Sequence, residues 1–146
     1  MHDYMIEENE KVGLHDCRTN HIYYNNKVIV FEFPKGYYIP SKETGKEPER
    51  TGKSTMQCDI VDTDFDGFSV CIYRKTMFGK IVREDWTDKF IVAINSNKFE
   101  FEFVTTYRSY QHILFKGDVW FNKAPYCMEC EVELHTDKIF YNWNKQ

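Results

Sequence analysis

The sequence has very little alanine and leucine, with two alanines (Ala93 and Ala124) and three leucines among its 146 residues. Both residues have a high helix propensity, so their scarcity disfavours a helical protein. Twelve phenylalanines, ten tyrosines and three tryptophans make up 17% of the chain instead. Aromatic side chains suit the half-buried surface of a pleated sheet. The composition therefore favours a β-rich fold.

The chain also lacks long apolar runs. No stretch approaches the ~20 apolar residues of a membrane span, and residues 1–12 carry four acids, one lysine and no apolar run, unlike a secretory signal. The net charge of -4 indicates no general attraction for nucleic acid or anionic membranes. Five cysteines are present, an odd number. We expect a cytoplasmic protein with reduced thiols.

Apolar and acidic residues alternate over 99–103 and again over 131–134, which is typical of antiparallel strands with one solvated face. The same signals predict strands at 19–24, 27–33, 55–62, 67–75, 78–84, 89–95, 98–107, 111–121, 127–135 and 138–143. We predict one mainly β domain over residues 1–146. It is an antiparallel sandwich, or a strongly curved and partly closed sheet built from successive hairpins, with little helix.

Three segments depart from this pattern. Residues 1–11 are polar and acidic, and form either a flexible arm or a short helix. Residues 41–53 have no apolar side chain, so we expect a mobile surface loop there. Residues 85–90 have acids and a lysine at helical spacing and are compatible with a helical turn.

Residues 62–67 resemble the start of a calcium loop, with aspartates at positions one, three and five and glycine at position six. Position twelve of such a loop must be a bidentate glutamate, but Tyr73 stands there. We interpret Asp66-Gly67 as a hairpin turn. The sequence therefore predicts no calcium site.

The sequence contains one C-x-x-C motif, Cys127 to Cys130, followed by His135. Zinc sites commonly use two such motifs, and no second one exists. In a strand the two cysteines point to opposite faces, because their separation is odd. We predict structural cysteines, no metal and no cofactor.

Catalytic motifs are also lacking. No glycine-rich phosphate loop, G-x-S-x-G or H-E-x-x-H motif is present. His15, Asp16 and Cys17 are adjacent, but neighbouring strand residues face opposite ways, so they do not form a catalytic line. We predict that the protein is not an enzyme.

The candidate binding residues are acidic: Glu100 and Glu102 on one strand, and Glu129, Glu131 and Glu133 on another. Residues at every second position share one face of a strand. A face rich in glutamate is a docking surface for a basic protein partner. The alternative is a solvated face that needs no partner.

The sequence Leu-His-Asp-Cys at 14–17, the Asn-Asn pair at 25–26 and the F-x-F-x-x-G pattern at 31–36 resemble small uncharacterised bacterial β-rich proteins. Several of those proteins look like immunity partners of polymorphic or contact-dependent toxins. The resemblance covers residues 14–36 and implies neither catalytic residues nor a cofactor. It predicts a cytoplasmic immunity protein that blocks a basic toxin domain, often a nuclease, in a stable one-to-one complex.

Two other functions are compatible with the sequence. The first is a small-ligand-binding β-barrel or sandwich with an aromatic-lined pocket. The second is an enzyme that uses cysteine and histidine, although adjacent residues provide no catalytic arrangement.

Overall fold

The computed structural model describes residues 4–7 by their backbone, and residues 12–41, 45–61, 67–124 and 126–144 in full. Two antiparallel sheets stack face to face, which confirms the predicted mainly β fold and selects the sandwich among the predicted architectures. The candidate calcium ligands at 62–66 lie outside the described residues.

The first sheet has five strands: β1 (Tyr4–Glu7), β3 (His21–Tyr24), β4 (Val28–Phe33), β7 (Ser54–Ile60) and β13 (Thr136–Trp143). They lie in the order β1-β13-β7-β4-β3. The second sheet has six strands: β2 (Arg18–Thr19), β8 (Phe68–Lys75), β9 (Ile81–Asp85), β10 (Phe99–Ser109), β11 (His112–Phe121) and β12 (Cys127–Leu134). Their order is β2-β10-β11-β12-β8-β9. Two short strands, β5 (Tyr38–Ile39) and β6 (Glu49–Arg50), form a separate ribbon, and the helix α1 spans Phe90–Asn95.

The core between the two sheets is largely aromatic. Phe31 of β4 packs edge-on against Phe103 and Phe115 of the facing sheet, with ring centroids 5.8 and 5.9 Å apart. All three rings are fully buried or nearly so. Edge-to-face arrangements add to the stabilisation that aromatic burial gives. The abundance of phenylalanine therefore reflects the filling of this core.

Gly117 of β11 allows two strands to approach closely. It lies opposite Phe103, next to a β-bulge between Phe103 and Thr105. A Cβ atom at position 117 would collide with the carbonyl oxygen of Glu102. Glycine is needed here because any side chain would push β10 and β11 apart.

The strand predicted at 89–95 is wrong, because this segment forms α1 after a turn that begins at Trp86. Phe90 and Ile94 are fully buried and four residues apart, so they share one face of the helix, whereas Val92 is 69% exposed. Burial of these two side chains outweighs the strand propensity of the β-branched residues. Among the described residues, no helix is long and apolar enough to span a membrane.

Two segments expected to be irregular are partly ordered. The backbone of β1 pairs with β13, so the arm or helix expected over residues 1–11 is a strand over Tyr4–Glu7. Thr51 is buried and its hydroxyl accepts a hydrogen bond from the Tyr37 amide, while the Gly52 amide donates to Asn144. The C-terminal boundary of the expected loop over 41–53 is therefore corrected to residue 48.

Candidate functional site

The solvent side of the six-stranded sheet, which we call the outer face, carries most of the candidate residues. Residues facing the core alternate with residues on this face, so the strand register identifies its members. Its charged side chains include seven acids, namely Asp85, Glu100, Glu102, Asp118, Glu129, Glu131 and Glu133. Four basic side chains accompany them: Arg18, Lys75, Arg83 and Lys116. The outer face is therefore mixed in sign but negative in balance.

A row of three acids crosses the centre of the outer face. Glu102 of β10 pairs with Asp118 of β11, and Asp118 pairs in turn with Glu129 of β12. Burial raises the pKa of Asp118, and the charges of Glu102 and Glu129 raise it further. A hydrogen bond from the Cys127 thiol acts in the opposite direction. The three carboxylates of this row therefore repel one another, and the hydrogen bond from Cys127 offsets that repulsion only in part.

The five acids predicted from the sequence all lie on the outer face, but β11 separates the two sets. Arg18 lies 3.8 Å from Glu100 and 3.1 Å from Glu102. On β12, Glu131 lies 3.8 Å from Lys116 and Glu133 is 2.5 Å from His112. No ion pair to Glu129 forms within the described part of the chain. Among the five predicted acids, these salt bridges leave the exposed Glu129 as the one most available to a cationic partner.

Arg18 also covers an aromatic residue on the outer face. Its guanidinium lies 5.0 Å from the centre of the Trp120 ring, a cation–π distance. The Trp120 ring nitrogen is buried and has no hydrogen-bond acceptor among the described residues. Tryptophan and arginine are enriched among the residues that contribute most to protein–protein binding.

A second cluster on the same face contains metal-ligating side chains. Potential ligand atoms of His112, Glu133 and His135 all lie within 4.8 Å of one another. None of the three residues is predicted as a metal ligand from the sequence, where His135 is notable only because it follows the C-x-x-C motif. The actual neighbours of His135 come from the β11–β12 pairing, which sequence spacing does not reveal.

Cys71, Cys127 and Cys130 lack the environment that activates a thiol. Cys130 is buried and Cys127 lies on the outer face, which confirms that the two point to opposite sides of β12. Burial is the largest of the effects that raise the pKa of Cys127 and of Cys130. It likewise raises the pKa of Cys71.

The His15, Asp16 and Cys17 segment also places no thiol next to an imidazole. The His15 ring nitrogen lies 2.9 Å from the Asp16 carboxylate, and both side chains are exposed. The Cys17 thiol is instead buried and directed at the carbonyl oxygens of Gly13 and His15. Burial raises its pKa to about 11. At neutral pH this thiol is therefore protonated and a poor nucleophile.

The described surface depressions are small and are lined by both charged and apolar side chains. One cavity of about 260 Å³ lies between the start of β12 and the β8–β9 hairpin, against Glu129 and Ile81. Another, of about 230 Å³, lies beside Arg18 and Glu100. At the tip of the β8–β9 hairpin, Met77 and Phe78 are almost completely exposed.

Comparison of the chain with protein-family models, with curated proteins and with solved structures gives no match in any of the three.

Proposed function

We propose that the chain is a cytoplasmic, non-catalytic immunity protein that neutralises a bacterial toxin domain in a stable complex. The observation that carries this proposal is the row Glu102, Asp118 and Glu129 on the outer face. Like charges on directly opposed strand residues lower the stability of a sheet. The mutual repulsion of the three carboxylates opposes folding, whereas a bound cationic surface would relieve it.

The partner that fits this surface is a basic domain. A nuclease toxin must present basic side chains to bind the phosphates of its substrate. The carboxylates of Glu102, Asp118 and Glu129 would bind those basic side chains in place of the substrate phosphates. Charge complementarity of this kind mainly accelerates association and excludes unsuitable partners. Arg18 and Trp120, at the edge of the row, supply the side-chain types that commonly anchor an interface.

The core argues for protein binding over an aromatic-lined ligand pocket. The phenylalanine rings of the sandwich pack against one another, as Phe101, Phe103 and Phe115 do. The described depressions beside the outer face contain charged side chains. The geometry therefore favours an extended contact surface over an enclosed apolar site.

The experiment uses the product of the gene directly upstream of this one, which the proposal requires to encode a basic toxin domain. We expect the purified chain to bind that toxin domain and to restore growth when both are expressed in bacteria. Glu129→Lys should slow association about tenfold at low salt, and the difference from wild type should shrink at high salt. The matched control is Glu32→Lys, because Glu32 is also a solvent-facing strand acid but belongs to the five-stranded sheet.

Two outcomes would contradict the proposal. Equal loss of association rate in the Glu32 and Glu129 variants would place the interface away from the outer face. If the upstream gene encodes no toxin domain, or if the wild-type chain neither binds its product nor restores growth, the assignment as an immunity protein is wrong.

A further inference from the structure

His112, Glu133 and His135 come together because of the register of the β11–β12 ladder. Ile113 pairs with Leu134, so His112 stands opposite His135 and Glu133 is its diagonal neighbour. The alternation along both strands places all three side chains on the outer face. The two imidazole centroids are 5.5 Å apart, with the rings inclined at 71°. The cluster is thus built on the end of a regular ladder.

The atoms of this cluster suit a transition metal ion. His112 Nε2 lies 2.5 Å from Glu133 Oε1, and the ligand atoms of the three residues lie within 4.8 Å of one another. Around zinc, with bonds of about 2.0–2.1 Å, tetrahedral ligand atoms stand about 3.4 Å apart. An ion would therefore replace the hydrogen bond between His112 and Glu133, whose ligand atoms would separate to about 3.4 Å, and side-chain shifts would bring all three residues to bonding distance.

The ligand types select the class of ion. Two imidazoles and one carboxylate suit zinc and its neighbours, whereas calcium and magnesium prefer sites made of oxygen alone. Three protein ligands leave at least one coordination position open, as in the zinc sites that hold a water molecule. We propose that His112, Glu133 and His135 form a zinc site with an open coordination position on the outer face.

The surroundings hold the proposed ligands in place. Ser109 Oγ lies 3.4 Å from His112 Nδ1. When Nδ1 carries the proton, it donates a hydrogen bond to Ser109 Oγ, and Nε2 is then the nitrogen that can bind the ion. The backbone of His135 is fixed on both sides, because its amide donates to Gly67 and its carbonyl accepts from Val61. All three ligands are half-buried, which limits their rotamer freedom without closing the site.

One nearby charge opposes metal binding. The guanidinium of Arg108 donates to the carbonyl oxygens of His112 and Thr136, 3.1 and 3.2 Å away. Its positive charge repels a cation, so the zinc affinity should be lower than that of a closed structural site. The inference does not depend on the proposed toxin partner, since all ligands belong to this chain.

The test is a calorimetric titration of the metal-free full chain with zinc chloride, under a non-thiol reductant. We expect one equivalent to bind. His112→Gln and His135→Gln should each weaken binding about 100-fold or more, since each removes a direct ligand, and circular dichroism should show that both variants fold. The matched control is His21→Gln, because His21 also faces a cross-strand glutamate, Glu32, at 3.9 Å.

Cobalt spectroscopy separates this site from the thiols. Cobalt bound to His112, Glu133 and His135 should show weak visible bands and no sulfur-to-metal charge transfer. Cys127→Ser should leave zinc binding unchanged. The proposal is overturned if zinc fails to bind at millimolar concentration, if the two histidine variants bind as wild type does, or if binding is lost with Cys127→Ser.

Discussion

The side-chain amide of Asn95 forms two hydrogen bonds with the backbone of Ile22. The Ile22 amide donates to Asn95 Oδ1, and Asn95 Nδ2 donates to the Ile22 carbonyl oxygen, each at 2.8 Å. Ile22 lies on β3, the edge strand of the five-stranded sheet. The side chain at the end of α1 therefore provides hydrogen-bond partners for the backbone of Ile22 at the edge of the sheet, as a neighbouring strand would.

Replacement of Asn95 by alanine should lower the free energy of unfolding by about 1–3 kcal/mol, because both backbone groups of Ile22 lose their partner. Ser96→Ala, at the next and exposed position, should change it by less than about 0.5 kcal/mol. Urea denaturation of both variants checks the prediction. An equal effect of the two substitutions would show that the Asn95 amide contributes nothing specific.

Gly117→Ala should destabilise the protein by about 1–3 kcal/mol, because the added methyl group meets the Glu102 carbonyl oxygen. Gly13→Ala is the matched control, since its Cβ would lie 3.5 Å from the Tyr38 side chain, an ordinary contact distance. Thermal melting of the two variants compares them directly. If both melt as wild type does, β10 and β11 are further apart than described.

Asp118→Asn should stabilise the protein at neutral pH and lose this advantage in acid. The pKa of the Asp118 carboxyl is raised in the folded state, so the folded protein binds its proton more tightly than the unfolded chain does. The contribution of Asp118 to stability is therefore greatest below the unfolded pKa of about 3.9 and falls as the pH rises through the folded pKa. Urea denaturation at about pH 4 and about pH 7 measures the difference. A constant difference between variant and wild type would contradict the prediction.

Thiol reactivity should follow burial. Cys17 and Cys130 are buried, and burial raises the pKa of both thiols, so they should react with Ellman's reagent only after unfolding. Cys127 is exposed but has a raised pKa, so it should react more slowly than free cysteine. The kinetics of colour development, with Cys127→Ser as control, test this order. A burst faster than free cysteine would indicate an activated thiol.

Local patterns in the sequence were sufficient to predict much of the sheet structure. The alternation over 99–103 placed three phenylalanines in the core and two glutamates on the solvent side, as the structure confirms. The pattern failed at 89–95, where β-branched residues favoured a strand. The spacing of Phe90 and Ile94 was the helical signal, but only six residues carry it.

The central row of the outer face could not be predicted, because it depends on contacts between distant segments. Asp118 stands between two glutamates only because β11 lies between β10 and β12 in this register. A shift of one residue would have turned the Asp118 side chain into the core. The meeting of His112 with His135 depends on the same register.

The pairing of β1 with β13 brings distant parts of the chain together, since Tyr4 stands directly opposite Trp143. A short peptide could therefore link the end of β13 to the start of β1, and the chain could be reopened at the exposed Phe78 in the β8–β9 hairpin. Such a circular permutant would keep every strand neighbour while changing the order in which the strands are synthesised. It would test whether this sandwich requires its natural connectivity to fold.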